Sequence, residues 1–212
     1  MSESKEESGC GCHGDTERAA ADPAYRRALW IVVILNVGFG LIELAGGFLV
    51  GSQALKADSL DFLGDGSITF IGLLALAWAQ STRAKVALAQ GIFLALLGSW
   101  VLGMAIWRAI GAVPPEAEMM GGIGIAALAV NVTAALVLAR FRDSGDAQAR
   151  AIWLFSRNDA INNVAVIIAA GFVYWLQSAW PDLVVAAIIA IVFLHSAWEI
   201  IRDATQELRK SA

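Results

Sequence analysis

Asp58, Asp61 and Asp65 fall within one apolar stretch, Ala57-Asp58-Ser59-Leu60-Asp61-Phe62-Leu63-Gly64-Asp65-Gly66. On a helix at about 100° per residue they lie within about 60° of one another, so they form one acidic stripe with Asp61 and Asp65 a turn apart. Oxygen ligands at that spacing can share a divalent cation, and closing its coordination shell needs groups from another helix. A second polar insertion offers them: Ser156-Arg157-Asn158-Asp159-Ala160-Ile161-Asn162-Asn163. Here Asn162 and Asn163 flank the face of Asp159 one turn further on. The candidate metal ligands are therefore Asp61, Asp65 and Asp159, with Asp58, Asn162 and Asn163 behind them. Each has a plainer reading. Asp58, Asp61 and Asp65 suit the frayed, solvated start of a helix, Asp58 best of the three, Asn162 and Asn163 suit hydrogen bonding between close-packed helices, and Asp159 suits a salt bridge to Arg157 or Arg150.

The elements that must hold these groups are membrane spans. Of 212 residues, 58% are hydrophobic and 16% charged, with a mean hydropathy of +0.65. That composition excludes an ordinary soluble domain and predicts an all-α, polytopic bundle of six transmembrane helices in a lipid bilayer. The apolar windows run Ala28–Val50, Ala57–Gln80, Val86–Ile110, Met119–Ala139, Ala151–Leu176 and Leu183–Ile201. Gly51-Ser52-Gln53, Pro114-Pro115-Glu116 and Trp180-Pro181-Asp182 supply breakers between them, and Trp107, Trp175 and Trp180 stand where interfacial aromatics belong. The stretch Ile68–Ala79 is too short to cross alone, which draws the aspartates into the second span. At the bilayer centre each would cost about 2.5–3.5 kcal/mol, so the stripe demands partners or a wet cavity.

Three parts follow: a flexible cytosolic tail over 1–27, the transport bundle over 28–201 and a short cytosolic tail over 202–212. The first tail has no apolar core of the kind a cleavable signal requires. Twelve basic residues (Lys5, Arg18, Arg26, Arg27, Arg83, Lys85, Arg140, Arg142, Arg150, Arg202, Arg209 and Lys210) fall on one side of the spans, against Lys56 and Arg108 on the other. Both termini are therefore expected in the cytoplasm, and a bacterial inner membrane is the expected location. Acidic residues inside the apolar runs argue against a nucleic-acid partner.

Cys10, Cys12 and His13 form a weaker candidate, since thiolates and an imidazole suit soft cations such as zinc, copper or cadmium, but the flanking glycines suit an inert tail equally. Glu43 and Asn36 line either a cation path or a helix contact. His195 and Glu199, one turn apart, read as an interfacial pair or a site of metal or proton handling. Gly46-Gly47 reads as close helix packing.

These residues resemble the cation diffusion facilitators, a family of proton-coupled exporters of zinc and related metals. The resemblance covers about Leu29 to Arg202. It rests on the six-span plan, on Gly51 to Asp65 before and within the second span, and on Trp180-Pro181-Asp182-Leu183 entering the sixth. It implies a transport site built from His or Asp and Asp four residues apart on spans two and five. Carried over, it assigns Asp61 and Asp65 on span two and Asp159 on span five. The first span-five position falls on Phe155, which cannot bind a metal, so Ser156, Asn158, Asn162, Asn163 or a water must complete the shell. The family's C-terminal cytosolic domain and its histidine-rich loop have no counterpart in the sequence, so a homodimer would have to form through the spans.

Crowded carboxylates repel one another and are expected to hold protons until a dication displaces them. Alternating exposure would then couple metal efflux to proton entry, with the metal and protons as substrates and no resident cofactor. An oxygen-rich site without histidine leans toward manganese or iron(II), whereas the resemblance leans toward zinc, with cobalt and cadmium also open. The alternatives are a passive metal channel, a membrane metal sensor and, more distantly, an intramembrane aspartyl protease. That last reading lacks the Gly-x-Gly-Asp signature, since Phe62 stands where the first glycine belongs.

Overall fold

The computed structural model describes residues 22–74, 80–111, 113–139, 141 and 147–211. Its elements are six helices: α1 (Pro23–Val50), α2 (Gln53–Leu74), α3 (Gln80–Ala109), α4 (Ala117–Ala139), α5 (Ala147–Leu176) and α6 (Trp180–Ser211). α1 opens where the Asp22 carboxylate accepts from Ala24 N at 2.8 Å and Pro23 takes the first helical position, which needs no N–H. It closes at Gly51, whose φ of +77° is the left-handed conformation a glycine adopts without strain. Ser52 then caps α2, its Oγ accepting from Leu55 N at 3.0 Å.

Helices run beyond the apolar windows wherever the flanking residues are polar helix formers. α1 starts five residues before Ala28, and α6 continues as helix to Ser211 through the expected C-terminal tail. Five of the six, all but α2, are long and apolar enough to cross a membrane. Every 18-residue window of α2 contains three or more of Lys56, Asp58, Asp61 and Asp65, which is why apolarity alone does not identify it. Its place in the bundle compensates, for α2 touches each of the other five helices.

Small residues set the crossings, as expected where lipid offers no hydrophobic drive to association. α1 and α2 form a close antiparallel pair: a Cβ on Gly47 would lie 3.1 Å from Lys56 N, and one on Gly66 would lie 2.7 Å from a Val37 methyl. Gly46 faces Ile123 of α4, so the expected packing role of Gly46-Gly47 holds. Gly91 and Gly98 of α3 admit α6, and Gly124 of α4 admits α5. Large apolar side chains such as Ile34, Leu49, Ile106 and Leu136 point outward, an arrangement suited to lipid.

The connections α1–α2, α3–α4 and α5–α6 meet at one end. Glu116 N donates to Val50 O at 3.2 Å, the Arg108 guanidinium donates to Gly51 O, and Asp182 at the start of α6 receives the first residues of α2. Exposed Trp107, Trp175 and Trp180 ring this end, as their interfacial reading requires.

Candidate metal centre

The α2 stripe is directed into the bundle. Because α2 begins at Gln53, Asp58 belongs to its second turn and is 1% exposed, so it is no solvated helix cap. Its Oδ2 accepts from Asn163 Nδ2 of α5 at 2.5 Å, and Asn163 Oδ1 accepts from Asn131 Nδ2 of α4 at 2.9 Å. Across the α1–α2 crossing, the Glu43 carboxyl lies within hydrogen-bonding reach of Asp58. One turn further from the connected end, Asp61 Oδ2 accepts from Asn162 Nδ2 at 3.3 Å. A turn beyond that, the Asp65 and Asp159 carboxyls come within hydrogen-bonding reach of each other.

The carboxylates thus form a column with two pairs, Glu43–Asp58 and Asp65–Asp159, and Asp61 between them. Among the described residues no three His, Cys, Asp or Glu side chains already enclose a point where an ion would sit. Asp61, Asp65 and Asp159 are neighbours all the same, joined across α2 and α5. Glu43 and Asp58 are buried and Asp61, Asp65 and Asp159 half-buried, and ionised carboxyls this close repel one another, a repulsion that a bound cation or protons relieve.

The remaining sequence candidates divide clearly. Asn36 is buried on α1 beside Gly66, next to Asp65 in the chain, and its Oδ1 meets no hydrogen-bond donor among the described residues. His195 and Glu199 approach to 3.8 Å on the outer face of α6, with side chains 72% and 51% exposed, away from the bundle interior. Cys10, Cys12 and His13 lie outside the described residues, as do the side chains of Arg150, Phe155, Ser156, Arg157 and Asn158.

Two features had not been singled out as functional. Asn131 is a lone buried amide in the apolar α4, and its insertion cost alone was a usable signal. Asp182 stands in the sequence as part of a turn and of the stretch that carries the family resemblance, with no role of its own. Its carboxylate accepts from Ser52 Oγ at 2.5 Å, Gln53 N at 2.8 Å and Ala54 N at 3.0 Å, capping α2 from α6. Lys56, Arg108 and Gln53 gather beside it, and turning the Gln53 amide lets its oxygen accept from Arg108 at 3.0 Å and Lys56 at 3.2 Å.

A helical membrane bundle that gathers a column of carboxylates from α1, α2 and α5 has the make-up of a protein that handles cations. Residues 29–209 match the cation efflux transmembrane domain, and the chain belongs to that family, whose members are transporters rather than enzymes. The chain is 28% identical to the zinc transporter ZitB of Escherichia coli (strain K12), over 94% of this chain and 68% of that protein. It is 27% identical to the cadmium, cobalt and zinc/H(+)-K(+) antiporter of Bacillus velezensis, over 86% of this chain and 63% of the relative. A mouse relative, the proton-coupled zinc antiporter SLC30A2, is 26% identical over 91% of this chain and 58% of its own length.

Proposed function

We propose that this chain moves zinc or a similar divalent metal out of the cytoplasm in exchange for protons, with Asp61, Asp65 and Asp159 as the carrying ligands. The observation that carries the reading is the meeting of Asp65 of α2 with Asp159 of α5 inside the bundle, with Asp61 a turn away on the same stripe. Asn162 completes the set: its amide nitrogen already donates to Asp61, and its amide oxygen is the matching donor for a cation. The ion displaces the protons shared by these carboxyls and draws Asp61 toward the Asp65–Asp159 pair. The bacterial and mouse relatives, named as zinc transporters and proton antiporters, support zinc first, with cobalt and cadmium next. The oxygen-only ligand set keeps manganese and iron(II) within range.

The basic residues around the termini support an orientation with both termini in the cytoplasm, which puts the connected end outside. The bacterial relatives support an inner-membrane location. Exposure of the site would then alternate between the two faces by movement of helices around it.

Proteoliposomes containing the protein or its Asp65→Asn variant, loaded with a pH-sensitive dye, test the reading. Zinc addition is expected to drive saturable proton movement that depends on an imposed pH gradient and disappears in the variant. Zinc flux indifferent to the gradient would instead favour a passive channel. Binding without flux would favour a sensor.

A further inference from the structure

We infer that Asn36 of α1 supplies a further oxygen to the metal held by Asp61, Asp65 and Asp159, and that this oxygen opens the site to ions that take more than four ligands, manganese(II) foremost. The inference rests on the metal reading above and sharpens which substrates it covers. Asn36 is 2% exposed within an apolar span, and its amide oxygen meets no hydrogen-bond donor among the described residues. A carboxamide in a membrane helix is costly without a partner. Asn131, Asn162 and Asn163 each take part in a hydrogen bond, whereas the Asn36 oxygen waits for something that accepts no proton and donates none.

The helix crossings set its depth and direction. α1 and α2 run antiparallel: a Cβ on Gly40 would lie 2.9 Å from Phe62 Cβ, and one on Gly66 would lie 3.2 Å from Asn36 Cβ. Asn36 therefore stands at the level of Asp65, the residue before Gly66. α2 and α5 are antiparallel as well, with Asn163 meeting Asp58 and Asn162 meeting Asp61, so Asp159, a turn before Asn162 and Asn163, comes to that same level. Around α1, Asn36 falls between the directions of Gly40, which packs on Phe62 of α2, and Gly46, which packs on Ile123 of α4. It is turned into the angle between α2 and α4, which Asn131, Asn163 and Asp58 bridge, and away from lipid-facing Ile34 and Leu41. An acceptor oxygen beside ionised carboxylates finds no donor among them, and a cation satisfies all of these oxygens at once. Zinc closes a tetrahedral shell with four groups, which Asp61, Asp65, Asp159 and Asn162 supply. Manganese(II) favours six oxygens in an octahedron, so a further protein oxygen adds more to its binding than to that of zinc.

Asn36→Leu removes the oxygen at similar size, and Asn36→Asp keeps an oxygen in place. Calorimetry on the full-length protein in detergent, with manganese(II) chloride and with zinc chloride, compares both variants with the parent and with Asp65→Asn. For Asn36→Leu, manganese affinity is expected to fall by about tenfold or more, the low end of what losing a group that supports a metal site costs. Zinc affinity should change by less than about threefold, since its four ligands remain. Asn36→Asp should hold manganese at least as tightly as the parent. Unaltered manganese affinity in Asn36→Leu overturns the inference, and so does an equal loss for both metals, which would make Asn36 a packing residue. A loss in Asn36→Asp as large as in Asn36→Leu overturns it too, as does a parent that binds zinc but not manganese. If Asn36→Leu does not fold, Asn36→Val is read by the same split. Asp65→Asn reports on the metal reading independently: retained binding of both metals there removes the metal site whatever the Asn36 variants do.

Discussion

Replacing Asp182 by alanine should unfasten the start of α2 from α6. The carboxylate is 1% exposed and accepts three hydrogen bonds, from Ser52 Oγ, Gln53 N and Ala54 N, at 2.5, 2.8 and 3.0 Å. Two of those donors are first-turn N–H groups that no intrahelical carbonyl can reach. A hydrogen bond to a charged acceptor contributes about 1.5–3 kcal/mol, and a buried donor left without a partner costs about 1–3 kcal/mol. The three bonds share one carboxylate, and water can enter near the connected end, so they do not add in full. The expected loss is about 3–5 kcal/mol, the range for breaking a buried charged contact. Removing the anion also leaves Lys56 and Arg108 as neighbouring cations without it. Thermal or denaturant unfolding in detergent, followed by tryptophan fluorescence, measures the loss. Asp203→Ala is the control: Asp203 pairs with Arg202 at the surface, with side chains 67% and 51% exposed, and should change stability by less than about 0.5 kcal/mol. An Asp182→Ala variant within about 1 kcal/mol of the parent would refute the claim that this carboxylate caps α2.

Asn163→Ala removes the donor to Asp58 and the acceptor for Asn131 together, and should lower stability by about 2–3 kcal/mol in the same unfolding assay. Gly47→Leu forces a side chain against the Lys56 backbone nitrogen and Leu55 Cβ and should cost about 1–3 kcal/mol. Gly38→Ala, with nothing within 4 Å, should be neutral or slightly stabilising. On the proposed site protons and zinc share the carboxylate oxygens, so apparent zinc affinity should weaken as pH falls, by about tenfold per pH unit for each proton displaced. Calorimetry at several pH values reads this directly, and an affinity flat with pH would contradict it.

The periodic parts of this molecule were readable from the residues alone. Apolar runs located the spans, and the spacing of Asp58, Asp61 and Asp65 placed them on one face, where α2 carries them into the bundle. Span ends were less readable, because polar residues such as those after Ile201 continue a helix without any apolar signal. Pairings between helices were not readable. Nothing in local periodicity joins Ser52 to Asp182, 130 residues away, or Asn163 to Asp58, 105 residues away. Those contacts depend on which helix faces meet, and the glycines at the crossings reveal only that some faces come close. Glu43 illustrates the gap: a buried carboxylate in α1 demanded a partner by its cost alone, but only the α1–α2 crossing identifies it as Asp58.

The most direct measurement is X-ray absorption at the zinc edge of the zinc-loaded, full-length protein and of its Asp65→Asn variant. A metal held by Asp61, Asp65, Asp159 and Asn162 should show a first shell of oxygen scatterers at about 2.0–2.2 Å with no sulfur, and the variant should retain far less zinc under the same loading. A shell containing sulfur at about 2.3 Å and unchanged in the variant would place the ion on Cys10 and Cys12 instead, and would contradict the carboxylate site.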